Sequence, residues 1–298
     1  TGAPVPEGAD FVVIQEDVTR RGDVITITDT PGDKSNIRPR GGDFRVDDSI
    51  DAPRLLRPAD IALLAAMHVA QVPVRRQPVV ALISTGDELV MPGDTPGADQ
   101  ITVSNTFGLA AMLGNAGAEV RILPIARDRV DSLEPALELA QGADLIVTIG
   151  GASVGDHDLV GQVAQTAGLE RSFYKIAMRP GKPLMAGRFG RSALVGLPGN
   201  PVSAMVCGHI FILPMLRAMV GFPPQAPALH PAKLAEDLPA NGPREHYMRA
   251  QREGDTIRAF TDQDSAMLGL LARADALIRR AANDPARARG ETVHFVAL

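Results

Sequence analysis

Between residues 79 and 222, short apolar runs alternate with longer stretches in which apolar residues recur at helical spacing. Val79–Ile83 and Leu145–Ile149 are apolar or β-branched runs, and each is followed by glycines and polar residues. Strands separated by helical segments of roughly 10–15 residues are typical of parallel βαβ units. The pattern therefore predicts an α/β fold whose central domain is a three-layer α/β/α sandwich.

The ends of these elements follow from caps and breakers. Gly117, Gly142 and Gly168 lie where helices should end, and Pro201 suits the first turn of a helix. The predicted strands are 79–83, 120–125, 145–149, 173–178, 184–187 and 193–196. The predicted helices begin at residue 104 or 105, at 131 or 132, at 156 and at 201. The last of these, apolar but interrupted by His209, Pro214 and Arg217, is predicted to be buried rather than to span a membrane.

The two ends of the chain have a different pattern, rich in short β-branched runs. Phe11–Ile14 and Val24–Ile27 are predicted strands, with a turn at residues 21–23. A helix is expected from Pro58, and a hairpin at residues 253–255 is followed by a helix near 265–275. The sequence thus predicts a multi-domain chain: a partial β-rich domain (1–45), a helical linker (46–76), the α/β domain (77–222) and a small β-rich C-terminal domain (223–298).

Composition narrows the class of protein. Of the 298 residues, 45% are hydrophobic and 22% charged, as in ordinary globular proteins, and the formal net charge is −5. Without a basic stripe this charge argues against nucleic-acid binding. A single cysteine, Cys207, excludes an intrachain disulfide and agrees with a cytoplasmic location.

Five predicted loops carry the candidate chemistry. Ligands of parallel α/β sheets bind at the carboxyl ends of the strands, so we expect these loops to lie on one edge. The loops are STGDEL (84–89), ARD (126–128), GGASVGDHD (150–158), RPGKP (179–183) and LPGNPVS (197–203). Glycines allow backbone N–H groups to approach a phosphate closely. Gly150, Gly151, Ser153 and Gly155 therefore form a predicted anion-binding loop.

Carboxylates beside a phosphate would repel it unless a cation lay between them. Asp128, Asp158 and Glu88 are the candidate metal ligands, and Mg²⁺ is held by such carboxylates together with ligand phosphates and water. Structural alternatives remain open at this point. Gly150 and Gly151 can form a plain tight turn, Asp158 can complement a helix dipole, and Lys182 can be a solvated surface lysine. Cys207 is expected to be a buried apolar residue.

Several motifs match one family in order. ISTGDEL (83–89), GGASVGDHD (150–158), KIAMRPGKP (175–183) and GLPGNPVSA (196–204) resemble the loops of the MoeA family, the molybdopterin molybdenumtransferases related to the gephyrin E domain. TGAPVPEGAD (1–10) and NIRPRGGD (36–43) resemble that family's β-rich domain. The resemblance covers the whole chain, and it implies that the family's N-terminal segment lies outside it.

The resemblance implies an activity. Members of the family use adenylated molybdopterin and molybdate, hydrolyse the adenylate in a step that needs a divalent metal, here expected to be Mg²⁺, and insert molybdenum, releasing AMP. It also implies a cytoplasmic homodimer that binds neither nucleic acid nor membrane. The adenylyltransferase that makes the substrate and the molybdoenzymes that accept the product are further partners that it suggests.

The resemblance also assigns roles residue by residue. The implied catalytic residues are Asp128, Asp158, Glu88, Lys175, Arg179 and Asp43. The implied substrate-binding residues are Thr85, Gly86, Asp87, Gly150, Gly151, Ser153, Gly155, Pro198, Pro201, Ser203 and Thr1. Lys182, Pro183, Ser265 and Arg249, with Arg244 as the alternative to Arg249, resemble the molybdate pocket.

The chain departs from the family at Arg179, where many members have lysine. Arginine keeps the charge and can hold an oxyanion with two donors, but it cannot readily give up a proton. Two other functions stay open. One is molybdopterin adenylyl transfer, which would leave the β-rich domains without a role. The other is a non-catalytic scaffold like part of gephyrin, which would have no need of Glu88, Asp128, Asp158 and Lys182.

Overall fold

The computed structural model describes residues 2–29, 32–151, 159–166 and 168–298. The chain divides into two units, Thr1–Val72 and Pro73–Leu298. The first contains an antiparallel pair, β1 (Val18–Arg21) and β2 (Val24–Ile27), and the helix α1 (Pro58–Ala66). Gly22, at a φ of +62°, makes the turn between the two strands, as predicted.

One predicted strand of this unit is wrong. Residues 11–14 belong to no sheet; Val12 instead pairs with the loop at Ser35 and Asn36, whose side chain donates a 2.8 Å hydrogen bond to the Val12 carbonyl. A four-residue β-branched run has strand propensity, but it needs a neighbouring strand to satisfy its backbone. In α1 the buried Asp60 carboxylate accepts hydrogen bonds from Arg54 and Arg57, which lowers its pKa to about 2.

The second unit begins with the α/β domain. Its strands are β3 (Val79–Ser84), β4 (Leu89–Val90), β5 (Ile101–Thr102), β6 (Glu119–Ile122), β7 (Leu145–Ile149), β8 (Leu169–Tyr174), β9 (Met178–Arg179), β10 (Met185–Phe189) and β11 (Ser192–Leu197). Its helices are α2 (Asn105–Asn115), α3 (Val130–Leu139), α4 (Leu159–Thr166), α5 (Pro201–Cys207) and α6 (Leu213–Met219).

The main sheet has the order β6-β3-β7-β11-β10-β8. Neighbours among β6, β3, β7 and β11 are parallel, and β10 runs antiparallel to both β11 and β8. Side chains alternate between its two faces. Val80 and Leu82 pack with α2, α5 and α6, whereas Val79, Ala81 and Ile83 pack with α3 and α4. This confirms the three-layer α/β/α sandwich.

Two boundaries in this domain differ from the prediction. The strand predicted over 173–178 is two strands, because β8 ends at Tyr174 while β9 joins a second sheet. The helix predicted to begin at 131 or 132 begins at Val130 after Arg129. The hydroxyl of Ser132 is engaged elsewhere, accepting a 2.9 Å hydrogen bond from the Arg127 N–H.

The predicted long helix from Pro201 is interrupted once. Five residues, Gly208–Ile212, form a π-helical segment between α5 and α6. Pro214 follows this segment; it has no N–H to give to the preceding turn, so the backbone register must change there. Among the described residues, Pro201–Met219 is the one helix whose length and apolar composition would allow it to cross a membrane, and half of it is buried inside the protein.

The C-terminal domain is a sheet of order β14-β12-β16-β15-β13-β9, and because β14 also pairs with β13 it closes into a small barrel. Its elements are β12 (His230–Leu234), β13 (Glu245–Glu253), β14 (Thr256–Ala259), α7 (Leu268–Leu271), β15 (Ala276–Arg280) and β16 (Thr292–Ala297). Leu234, Ile257, Ile278 and Phe295 fill its interior. The hairpin predicted at residues 253–255 connects β13 to β14.

Two leucines of the α/β domain, one buried and one exposed, give a matched test of this core. Leu145 on β7 is fully buried, whereas Leu139 at the end of α3 is 57% exposed. We expect Leu145→Ala to lower the free energy of unfolding by about 2–5 kcal/mol, because it leaves a cavity in the central sheet. Leu139→Ala should change it by no more than about 0.5 kcal/mol. Urea unfolding followed by circular dichroism measures both, and equal losses would contradict this placement of the core.

Candidate functional site

The loops after the parallel strands converge on Thr85, at the end of β3. The Thr85 N–H donates to the Ile149 carbonyl at 2.9 Å, and the Gly86 N–H donates to the Ala126 carbonyl at 3.1 Å. The Gly150 N–H donates to Leu197 at 3.0 Å. Four of the five predicted loops therefore begin at one edge of the sheet. RPGKP (179–183) differs, since it follows β9 in the second sheet.

Glycines at this edge permit close approach of the backbones. Gly150 has a φ of +93°, and a Cβ added there would lie 2.5 Å from the Thr85 carbonyl oxygen. A Cβ on Gly199 would lie 3.5 Å from the Gly150 Cα. The hydroxyls of Thr85 and Thr148 are buried without a hydrogen-bond partner among the described residues. The hydrogen-bonding capacity of these two hydroxyls is therefore not used by the described part of the chain.

Three carboxylates collect on the loops after β3 and β6. The Asp128 N–H donates to an Asp87 carboxylate oxygen at 3.2 Å, and the Glu88 carboxylate folds over Gly86, 2.6 Å from where a Cβ would stand. Partial burial, and then the charges of Asp87 and Glu88, raise the pKa of Asp128. A cation placed here would relieve that repulsion.

Arg127 holds this acidic loop in place, a role that the sequence did not predict. Its guanidinium donates to three backbone carbonyls, those of Gly86, Asp87 and Leu89, at 3.4, 2.7 and 3.1 Å. All three bonds come from one nitrogen, Nη1, whose two hydrogens are shared among the three carbonyls. Asp87 and Glu88 are thus fixed next to Asp128 by a residue that lies directly before it in the chain.

A second feature of the site is a polar cavity of about 720 Å³ between the α/β domain and the C-terminal barrel. Four cationic side chains line it. Arg280 is paired with Asp284, whereas Arg179, Lys182 and Arg244 form no ion pair with a described carboxylate. The lining also includes Pro183, Asn200, Ser203, His246, Asp262, Asp264 and Ser265. Unpaired cations in a concave polar site are suited to an oxyanion.

The loop LPGNPVS (197–203) connects the two features. Gly199 abuts Gly150 at the sheet edge, while the Asn200 side chain donates a 2.9 Å hydrogen bond to the Ser265 hydroxyl of the barrel. The Val202 N–H, in the first turn of α5, donates to the Ser265 carbonyl at 3.1 Å. One loop therefore fixes the sheet edge at Gly150 and the polar cavity relative to each other.

Arg249 lies outside the cavity lining. It is buried, and its guanidinium donates to the Gln263 side chain and to the carbonyls of Met267 and Asp262, at 3.4, 2.9 and 3.2 Å. Burial lowers its pKa. The structure thus uses Arg249 to shape the loop that carries Ser265, and it places the alternative, Arg244, in the cavity wall.

The other predicted residues are distributed as follows. Lys175 is exposed, with its ammonium 4.8 Å from the centre of the Tyr174 ring and away from the cavity lining. Asp43 lies in an exposed turn of the first unit. Pro198 is buried in its loop, Pro201 opens α5, and Gly151 follows Gly150 with a φ of +63°. Thr1, Ser153, Gly155 and Asp158 lie outside the described residues.

The sequence prediction also missed His246 and Arg280. Strand alternation would have found His246, because His246 and Met248 project from the same face of β13 into the cavity, and Arg244, two residues before His246, lines it too. Burial and four nearby arginines, Arg179, Arg280, Arg244 and Arg249, lower the pKa of His246 to about 4. The imidazole is therefore neutral at physiological pH.

The opposite face of β13 borders a different cavity. It measures about 800 Å³ and is lined mainly by apolar residues, among them Ile176, Phe211 and Met215, with Glu245 and Tyr247 contributed by β13. The Tyr247 hydroxyl donates to Glu245 at 2.6 Å, and Arg279 pairs with Glu245, so these polar groups are satisfied internally. An anionic ligand would find no unpaired cation there among the described residues.

The residues described contain no group of three or more His, Cys, Asp or Glu side chains arranged to hold a metal ion. Asp128, Asp87 and Glu88 supply the carboxylate oxygens that hard cations prefer, but they do not by themselves form such a group. The predicted ligand Asp158 is outside the described part of the chain.

Family models match three successive parts of the chain. Residues 1–67 match the MoeA N-terminal region (domain I and II), 81–218 a probable molybdopterin binding domain, and 231–298 the MoeA C-terminal region (domain IV). A molybdopterin molybdenumtransferase from Haemophilus influenzae is 38% identical over 74% of this chain and 55% of its own length. A molybdopterin molybdenumtransferase 2 from Mycobacterium tuberculosis is 35% identical over 93% of this chain and 71% of its own.

The fold has the same relatives. A molybdopterin biosynthesis MoeA protein from Pyrococcus horikoshii superposes with a TM-score of 0.80 at 28% identity, over 100% of this chain and 74% of that one. The chain spans 55% and 58% of the lengths of two curated relatives that it matches. From its identity to relatives along most of its length, and from the order of its domains, the chain belongs to the MoeA family.

Proposed function

We propose that this protein inserts molybdenum from molybdate into adenylated molybdopterin and releases AMP, as a step in molybdenum cofactor biosynthesis. The observation that carries the proposal is the polar cavity with three cations that have no carboxylate partner in the described part of the chain, joined by one loop to a glycine-rich sheet edge. A molybdenumtransferase needs both: a site for a tetrahedral oxyanion and a site for a nucleotide with its phosphates.

The polar cavity is the proposed molybdate site. Arg179 of β9, Lys182 of the loop after it and Arg244, directly before β13, supply positive charge. Ser203 and Ser265 supply hydroxyls. Charge-assisted hydrogen bonds to an oxyanion are stronger than neutral ones. Arg179 holds an oxygen through two N–H donors, and it does not serve as a proton donor because guanidinium stays charged.

The sheet edge is the proposed nucleotide site. Gly150 and Gly199 leave the backbone uncovered, and the unpaired hydroxyls of Thr85 and Thr148 lie just beneath it. Backbone N–H groups at such an edge can approach phosphate oxygens closely. Lys175 is exposed and directly follows β8. It is proposed to attract the phosphates rather than to contact molybdate.

Mg²⁺ is the proposed metal, held by Asp128 together with Glu88 and Asp158. The raised pKa of Asp128 supports this: burial is its largest cause, and the charges of Asp87 and Glu88, which a cation would compensate, add to it. When bound, the ion would polarise the phosphoanhydride of the adenylate. Asp87, held by Arg127, would orient Asp128 through the 3.2 Å hydrogen bond to its N–H. A cytoplasmic homodimer remains part of the proposal.

The two alternatives make different demands on the same residues. An adenylyltransferase would use the sheet edge but not the polar cavity, and the barrel residues Arg244 and Ser265 would have no task. A pure scaffold would need neither unpaired cations nor a repulsive carboxylate cluster. The cavity formed jointly by the α/β domain and the barrel therefore favours the molybdenumtransferase.

Lysine variants separate molybdate use from nucleotide use. Lys182→Ala removes a cation from the cavity, so we expect molybdate-stimulated AMP release to fall by about 10–100-fold, while adenylated molybdopterin still binds. Lys233→Ala, at an exposed lysine of β12, is the control and should behave as the unsubstituted protein. AMP is measured by chromatography with and without molybdate, and nucleotide binding by calorimetry.

Two results would count against the proposal. If AMP release by the unsubstituted protein did not depend on molybdate, the result would favour molybdopterin adenylyl transfer. An equal loss of nucleotide binding and of molybdate use in the Lys182 variant would remove the division between the two parts of the site.

Arg127 offers a second test, of the acidic loop. Arg127→Gln should free the carbonyls of residues 86–89 and raise amide hydrogen exchange in that loop by about 10-fold or more, because local opening becomes easier. The neighbouring Arg129, exposed and paired only with Asp131 among the described residues, provides Arg129→Gln as the control. Mass spectrometry of exchange measures both, and unchanged exchange in the Arg127 variant would show that the guanidinium does not hold the loop.

A further inference from the structure

A row of three basic residues crosses the barrel sheet at the wall of the polar cavity. His246 on β13 is directly opposite Arg179 of β9 on one side and Arg280 of β15 on the other. Directly opposite residues in a sheet project to the same face. All three line the cavity, and His246, in the middle, is 6% exposed.

Every element packed around His246 carries charge toward it. Arg244 lies directly before β13 and Arg249 lies within it, Arg179 and Arg280 come from its neighbours, and Lys182 comes from the loop after β9. Asp262 and Asp264, from the loop after β14, are the carboxylates of the cavity lining. Both are engaged by backbone, since Asp262 accepts from the Asp264 N–H and Asp264 accepts from the Ala266 N–H, at 2.8 and 2.9 Å.

The positive charges are compensated to different degrees. Arg280 is paired with Asp284, and Arg249 is surrounded by carbonyls. Arg179, Lys182 and Arg244 have no carboxylate partner among the described residues. A protonated imidazole would add a further cation to this group, so the empty cavity keeps His246 neutral.

We propose that His246 is an oxyanion-binding residue that takes up one proton from solvent when a tetrahedral dianion enters the cavity, so that molybdate binding is coupled to protonation. The inference rests on the proposed function, and it adds a residue and a proton to the molybdate site. A dianion among Arg179, Lys182 and Arg244 cancels the charge that kept the imidazole neutral. The imidazolium then donates to the anion as a charged group.

Linkage fixes the sign of the effect. If the dianion raises the proton affinity of His246, then protons raise the affinity for the dianion by the same factor. Affinity must therefore rise as the pH falls from above the bound-state pKa toward about 4, the value in the empty cavity. One proton gives a slope of at most about tenfold per pH unit.

Calorimetry with sodium molybdate and the full chain, between pH 5.5 and 8, is the first part of the test. We compare the unsubstituted protein with His246→Gln, which keeps a neutral hydrogen-bonding side chain but cannot titrate. His294→Gln is the matched control, since His294 is an exposed histidine of the same sheet that does not line this cavity. Buffers of different ionisation enthalpy report the protons taken up.

The second part uses the unsubstituted protein alone and does not depend on how any variant folds. Nitrogen-15 spectra of the histidine side chains follow the titration of His246, assigned by comparison with the His246→Gln spectrum or by selective labelling. We expect the pKa of His246 to rise by at least one unit when molybdate is added. We also expect proton uptake and a several-fold gain in affinity per unit of falling pH in the unsubstituted and His294→Gln proteins, and a flat profile in His246→Gln.

Two results would overturn the inference while leaving the proposed function intact: molybdate binding with no change in the His246 titration, or a pH dependence that persists in His246→Gln. Absence of molybdate binding by the unsubstituted protein would be a failure of the proposed function itself, and the inference would fall with it.

Discussion

The site depends on a parallel pairing of only two residues. Met178 and Arg179 leave the α/β domain and join the edge of the barrel sheet, where they lie opposite Glu245 and His246, and the Glu245 N–H donates to the Ala177 carbonyl at 2.9 Å. This pairing holds the segment 179–183 over the barrel. Without this pairing, Arg179 and Lys182 would not face the same cavity as Arg244, which lies directly before β13.

A second connection runs in the opposite direction. Ser265 of the barrel receives the Asn200 side chain and the Val202 N–H, so the loop before α5 is held from both sides. Each domain thus holds one short segment of the other: the barrel pairs with residues 178–179, and the loop before α5 binds Ser265. In the proposed molybdate site an oxyanion would touch groups from both domains, and its binding would strengthen their contact by adding charge-assisted hydrogen bonds where the protein has like charges.

Much of this architecture could be predicted from the sequence. Apolar periodicity identified the parallel strands and the three layers, and the glycine and acidic loops were found because they follow those strands. The split of residues 173–178 into β8 and β9 could not be predicted, since a two-residue strand has no periodicity and is decided by a distant partner. The strand expected at 11–14 failed for the complementary reason: the apolar run was there, but the partner strand was not.

The site residues divide in the same way. Asp128, Glu88 and Lys182 sit in loops that follow predicted strands, and their types alone suggest chemistry, whereas Ser265 is found only through the family resemblance. Arg127 bonds to backbone carbonyls, which no sequence pattern encodes. The resemblance also assigns Arg249 to the molybdate pocket, although its donors are consumed by Gln263 and by main chain. A charged residue type can suggest a role in a ligand site. Whether the side chain is available to a ligand depends on its hydrogen-bond partners, which only the structure gives.

Gly181 connects the cavity to the hydrophobic core beneath it. With a φ of +109°, its position leaves no room for a Cβ, which would lie 2.6 Å from the Cys207 sulfur and 2.7 Å from the Met178 methyl. The backbone between Arg179 and Lys182 therefore rests directly on a buried thiol of α5. The buried side chain at position 207 therefore limits how closely the segment 179–183 can approach α5, so a residue that does not line the cavity helps to set the positions of Arg179 and Lys182.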